Sequence, residues 1–300
     1  SRKWRSVAIS IYAAGFGLGA VLGGMFANVL QPEYGWRAVF LAGAILTGLF
    51  LIVLWIWLPE SIDFLTDKQP PNAKIRLNRI MAKIGLKGEW ELPPKSEQKI
   101  AHFPFTQLFG VQYLRSTILI WLAFFAIMFS FYLVNSWTPA LLKDAGMTIE
   151  QGNGVGMMIS LGGTIGSLFY GMLASKWNAR NVLVLFTIAT AIAIIIFILS
   201  SGTLWLAMVF GIMVGALMNG CISGLYTLNP SIYATDIRST GVGWSIGIGR
   251  LGAILAPTIA GQLLDSGWNK QSLYTAVAFI MLISTVSLFL LQSKSAVKKI

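Results

Sequence analysis

The chain has 300 residues, of which 56% are apolar and 11% charged, and a mean hydropathy of +0.72; soluble domains carry roughly a quarter charged residues, so an ordinary water-soluble domain is excluded. A net charge of +11 would point to nucleic acid in a soluble protein, but the basic residues are segregated between apolar runs, and no nucleic-acid partner is expected. One cysteine, Cys221, and one histidine, His102, exclude a disulfide framework within the chain and metal sites built on thiolate or imidazole.

A helix needs about 20 predominantly apolar residues to cross the hydrocarbon core. Eight stretches have that length: 7–30, 38–58, 116–134, 154–174, 182–200, 204–228, 241–264 and 272–291. The expected fold class is all-α, a polytopic membrane helix bundle. The chain opens on Ser1 with the basic run Arg2, Lys3 and Arg5 and passes straight into the first span, unlike a cleaved signal peptide; the missing initiator methionine points to sequence upstream. Gly15, Gly19 and Gly23 recur four apart in the first span, Gly162 and Gly166 in the fourth, and Gly211 and Gly215 in the sixth. Small residues at this spacing let helix backbones approach closely, so close packing is expected at all three.

Between the second and third spans lies a long polar segment, 59–115. Within it Pro70, Pro71 and Asn72 set up a helix start and Gly85 a stop. Leu77, Ile80, Met81 and Ile84 fall at i, i+3, i+4 and i+7, while Lys74, Arg76, Arg79, Lys83 and Lys87 take much of the remaining surface. Two readings stand: a basic amphipathic helix lying on anionic lipid, or a solvated linker helix that follows the positive-inside bias. Of the 22 Lys and Arg, eighteen fall on the side of this segment and both termini. Arg37, Lys143 and Lys270 lie opposite, and Arg250 sits inside the seventh span. Cytoplasmic loops retain Lys and Arg, which places both termini in the cytoplasm of a multi-pass protein of a bacterial-type inner membrane.

Several stretches resemble the major facilitator superfamily, whose members have twelve spans in two six-span halves joined by a long cytoplasmic loop. They are Gly35-Trp36-Arg37-Ala38-Val39-Phe40 between the first two spans, Leu58-Pro59-Glu60-Ser61 after the second, and the loop from Gly171 to Arg180, in which Ser175 stands where the family usually has an acid. The stretch Tyr233-Ala234-Thr235-Asp236-Ile237-Arg238-Ser239-Thr240-Gly241-Val242-Gly243-Trp244 and the span from Gly247 to Pro257 that it runs into are similar to the aromatic acid:proton symporter family, which imports benzoate, hydroxybenzoates and related carboxylates with protons. The resemblance implies eight of the expected twelve spans: residues 1–58 as the last two spans of the N-terminal half, 59–115 as the cytoplasmic linker, and 116–300 as the complete C-terminal half and tail. It also implies a monomer whose partners are a small organic acid, protons and membrane lipids.

Arg250 is nine residues from Gly241, roughly 13–14 Å at 1.5 Å per residue, close to mid-membrane. A guanidinium inside a span is costly and faces a cavity or a partner, and its planar fork suits a carboxylate. Gly243, Gly247, Ala253, Ile254 and Pro257 are expected on the same face. The alternative is that Arg250 snorkels or caps carbonyls near Pro257. An aromatic acid also needs an apolar wall with a few polar groups. The third span offers Trp121, Phe124, Phe125, Phe129, Tyr132 and Asn135, and the sixth Met218, Asn219, Ser223 and Tyr226. Tyr132, Asn135, Asn219 and Tyr226 are the preferred substrate-binding candidates beside Arg250, because a polar group in a span seeks a protein or water partner. Asp236 and Arg238, with Arg180, form either an inward gate or an ordinary solvated loop pair.

None of the 11 acidic residues falls within the eight spans, so the coupling acid of a proton symporter is expected in the N-terminal spans that the resemblance implies upstream. No metal-ligand cluster, nucleophile with a base, or phosphate-cradling loop occurs, so neither a cofactor nor an enzyme is expected. The alternatives to an aromatic carboxylate symporter are a sugar or polyol porter of the same superfamily and a transport-inactive fragment.

Overall fold

In the computed structural model the backbone is described for residues 2–67, 69–86, 88–93, 104–144, 146–234 and 237–291. Those residues form ten continuous α-helical elements and one short 3-10 turn, with no strand among them. Seven stretches of helix are long and apolar enough to cross a membrane, from Glu33–Trp57 near the N-terminus to Lys270–Leu290. They coincide with seven of the eight expected spans; the remaining one, 7–30, is helical throughout.

The first helix, α1 (Arg2–Trp57), is two helices joined at Gly35, whose φ of 73° and ψ of 173° leave helical geometry. A side chain rarely adopts such a backbone, whereas glycine does so readily. The joint falls between the first two expected spans.

The chain divides into two compact units, Phe26–His102 and the remainder, Ser1–Met25 with Phe103–Ile300. In the first, α2 (Ile62–Asp67) and α3 (Ala73–Lys83) form a small hairpin over a core of Leu65, Ala73 and Leu77, with Ile62, Ile80, Met81 and Leu92 packed around it. Gly85 (φ 80°) follows the helix. The apolar stripe expected on α3 is therefore turned onto α2 through Leu77, Ile80 and Met81, and Ile84 alone of the four is left exposed.

The second unit contains α4 (Pro104–Gln107) and six long helices: α5 (Leu114–Asp144), α6 (Ile149–Lys176), α7 (Ala179–Ser200), α8 (Leu204–Leu228), α9 (Arg238–Asp265) and α10 (Lys270–Leu290). Three have polar N-caps that satisfy otherwise orphaned backbone donors. Thr148 and Gln151 make a reciprocal capping box on α6, Asn178 accepts from the Arg180 amide on α7, and Asn269 accepts from the Ser272 amide on α10.

Helix α6 packs along α8, α5 along α9, and α10 against both α5 and α7. Lipid tails are as apolar as leucine, so close backbone contact and interhelical polar bonds hold such a bundle together. A β-carbon built on Gly162 or Gly166 would overlap the carbonyls of Ile212 or Ala216, and one on Gly215 that of Ile159. The α6–α8 contact thus needs these glycines. Gly15, Gly19 and Gly23 differ from expectation, since a β-carbon on any of them would meet nothing within 4 Å. Helix α10 is tied to α5 by Tyr274 and Thr138, whose hydroxyls share a buried hydrogen bond, and to α7 by the Thr285 hydroxyl, which donates to that of Thr187 at 2.9 Å.

Candidate functional site

Arg250 lies close to the middle of α9, 12 residues from Arg238 and 15 from Asp265, or about 18 and 22 Å along the axis. Its Nη1 donates to the Tyr132 hydroxyl of α5 at 2.9 Å. A phenol oxygen that accepts from a guanidinium keeps its own proton to donate, so the pair offers an anion both a charge and a neutral donor. No carboxylate forms an ion pair with Arg250 among the described residues. The Pro257 carbonyl accepts from Trp137 Nε1 at 3.1 Å.

The two sides of α9 differ in packing rather than in side-chain size. Gly249, Gly252 and Ala253 are buried toward α5, and a β-carbon on Gly252 would press on the Phe125 carbonyl at 2.7 Å. Gly243, Gly247, Arg250 and Ile254 are exposed, and a β-carbon on either of those two glycines would meet nothing within 4 Å. Ala253, expected beside Arg250, belongs to the packed side.

The other expected residues are placed as follows. Asn135 is exposed one turn beyond Tyr132 on α5. Pro139, four residues further on, has no N–H to give to its carbonyl. Tyr226 of α8 is half-buried, its ring edge-to-face with Phe124 at 6.1 Å, and Phe124 in turn abuts Gly249, the neighbour of Arg250. Asn219 is only 7% exposed; its Nδ2 donates to the Gly215 carbonyl at 3.2 Å, and its side chain fills the space beside Gly163. The structure therefore joins Tyr132 to Arg250 directly, sets Tyr226 against Phe124 on the packed side of α9, and places Asn219 in the α6–α8 contact.

Of the expected gate residues, Arg180 Nη1 donates to the Leu291 carbonyl at 2.6 Å. Arg115 Nη2 donates to the neighbouring Leu290 carbonyl at 3.5 Å, so two cations meet the negative end of α10. Arg238 Nε donates to the Tyr233 carbonyl at 3.5 Å. Asp236 lies outside the described residues. Ser175 donates to the Met172 carbonyl of its own helix at 2.7 Å.

An aromatic cluster near the N-terminal ends of α5 and α9 went unforeseen. Phe105 and Phe109 flank the end of α4, with Phe105 4.6 Å from Trp244 and Phe109 5.7 Å from Trp121, centroid to centroid. Trp121 and Trp244 stack at 6.2 Å, and the Trp121 Nε1 is buried without a partner among the described residues. Trp121, expected in the substrate wall, belongs to this cluster. Beside it Tyr233 is buried, its hydroxyl donating to Thr117 at 3.3 Å, and burial pushes its phenol pKa up. The signal for the cluster was Phe105 and Phe109, aromatics four apart directly after Pro104.

Membrane-length helices packed through glycine, with a mid-span arginine on a small-residue face, define a polytopic membrane protein of transporter build. The chain belongs to the Major Facilitator Superfamily, whose family model matches residues 1–165 and 120–300. It is 34% identical over 279 residues to the gallate transporter of Pseudomonas putida, covering 90% of this chain and 60% of that protein. It is 30% identical over 286 residues to the 4-hydroxybenzoate transporter PcaK of the same species, covering 95% and 64%. The benzoate transport protein of Acinetobacter baylyi is 28% identical over 300 residues, covering 98% and 63%. The chain thus spans less than two thirds of the length of these curated relatives. Among solved structures, the fucose:proton symporter FucP of Escherichia coli shares the fold, with a TM-score of 0.59 at 14% identity, covering 98% of this chain and 84% of that one.

Proposed function

We propose that the chain is part of a secondary transporter that imports small aromatic carboxylates with protons across the bacterial inner membrane by alternating access, with both of its termini cytoplasmic. In this reading residues 1–58 supply the last two spans of one six-span half, 59–115 the cytoplasmic linker, and 116–300 the other half. The observation that carries it is the mid-span Arg250 bonded to Tyr132 with no carboxylate partner among the described residues. A guanidinium held there is costly, and a substrate carboxylate would supply the missing charge through a bidentate pair. Relatives named for 4-hydroxybenzoate, gallate and benzoate transport support the substrate class. Asn135 and Tyr226 would orient the ring and its substituents. Asn219, bonded within α8, would take part only after the α6–α8 contact shifts, and Arg180, Arg238 and Asp236 would close the inward mouth.

Uptake of radiolabelled 4-hydroxybenzoate by cells expressing the reading frame that carries this chain tests the proposal, with benzoate and glucose as competitors. Benzoate is expected to compete. Arg250→Ala and Arg250→Lys are expected to lower uptake at least about tenfold at unchanged protein level, as loss of a charge-assisted bond predicts. Unchanged uptake in both variants would remove the role of Arg250, and competition by glucose alone would turn the reading to a sugar carrier. Collapse of uptake by a protonophore is expected from proton coupling.

A further inference from the structure

The hairpin formed by α2 and α3 carries a basic cleft built from residues outside the proposed substrate site. Arg76, Arg79 and Lys83 stand at i, i+3 and i+7 on α3 and share one face. With Ile80 and the loop residues Pro59 and Glu60 they line a cleft of about 260 Å³. A water's share of the liquid is about 30 Å³, so the cleft admits a group several times that size. Three cations there face one carboxylate. The ion pair formed among the described residues is Lys74 with Glu91 at 3.7 Å, which leaves Arg76, Arg79 and Lys83 without a described counterion.

The position of the cleft identifies the anion. Pro59 and Glu60 follow Trp57, the last residue of the membrane-length stretch Glu33–Trp57, by two and three residues. Trp55 and Trp57 are 86% and 81% exposed, and tryptophans at the end of a span mark the headgroup layer. The apolar side of α3 is spent on Leu65 and Ile62, so the hairpin does not lie in the membrane on that side. It presents its basic side at headgroup depth, where each Lys or Arg adds attraction to anionic lipid.

We propose that the cleft of Arg76, Arg79, Lys83 and Glu60 binds the phosphate headgroup of an anionic phospholipid in the leaflet beside the end of the second expected span. Pro59 and Ile80 provide the apolar border for the glycerol backbone. The site rests on the membrane-spanning character of the chain and not on its substrate.

Native mass spectrometry of the purified product of the reading frame that carries this chain, released from detergent with phosphatidylglycerol or phosphatidylcholine, tests this. The unaltered chain is expected to retain phosphatidylglycerol over phosphatidylcholine by at least about fivefold, the attraction of roughly one well-placed cation. The triple variant Arg76→Gln, Arg79→Gln, Lys83→Gln is expected to lose that preference, and Lys74→Gln, outside the cleft, to keep it. Glu60→Gln removes the one repelling charge and is expected to increase retention about twofold to fivefold, a gain that misfolding cannot imitate. An undiminished preference in the triple variant, or no gain in Glu60→Gln, would overturn the site. Displacement of the lipid by millimolar inorganic phosphate would assign the cleft to a soluble anion and overturn the lipid reading.

Discussion

Arg250 and Tyr132 are separated by 118 residues in the chain yet meet at 2.9 Å, and the division of labour between them can be measured. Tyr132→Phe removes the acceptor of the Arg250 bond and a neutral donor while keeping the charge. Uptake affinity for an aromatic acid is therefore expected to fall about twofold to tenfold, the worth of one ordinary hydrogen bond, and less than in Arg250→Ala. Equal losses in the two variants would mean that Tyr132 holds the guanidinium in place rather than meeting the substrate. Arg250 was legible as a candidate because a charge inside an apolar run is visible without a structure. Its partner was not: Tyr132, Asn135, Asn219 and Tyr226 look alike as polar groups in apolar spans. Helix rotation turned Asn219 against Gly163 and left Asn135 exposed one turn beyond Tyr132.

At the scale of elements, the glycine pairs separate into two kinds that spacing does not distinguish. Gly166 and Gly215 sit where a β-carbon would run into the backbone of the opposing helix, so Gly166→Val and Gly215→Val are each expected to destabilise the bundle by about 1–3 kcal/mol, the usual cost of overpacking. The melting temperature of the purified chain in detergent checks this, and an unchanged value would contradict the α6–α8 contact. Gly19→Val, with open space around it, is expected to leave that melting temperature unaltered. A four-residue spacing makes close approach possible, but only a neighbouring helix makes it necessary. The same distinction governs α3, whose apolar stripe suited a lipid surface equally well until α2 was found covering it.

For the whole molecule, the asymmetric distribution of Lys and Arg carries an orientation that labelling can test. In a Cys221→Ser background, which removes the one cysteine of the chain, Lys143→Cys and Lys176→Cys place thiols at exposed positions at the end of α5 and the end of α6. A membrane-impermeant maleimide added to intact cells is expected to modify Lys143→Cys, and to reach Lys176→Cys only after the cytoplasmic face is opened. The reverse pattern would invert the proposed topology.

The sequence by itself determined where the membrane-length helices run, because transfer of a 20-residue apolar segment into lipid depends on composition and length, which are local. The joint at Gly35 and the caps Thr148, Asn178 and Asn269 are local as well, each acting over a few neighbouring residues, although only the structure showed them. Only the tertiary structure decided which side of each helix is packed and which is open. It set Trp121 and Trp244 against Phe105 and Phe109, brought Arg115 and Arg180 to the end of α10, and gave Arg250 its phenol. Apolar residues surround most of these helices, so hydrophobic periodicity carries little information about rotation, and shape and hydrogen bonding between distant segments settle it instead.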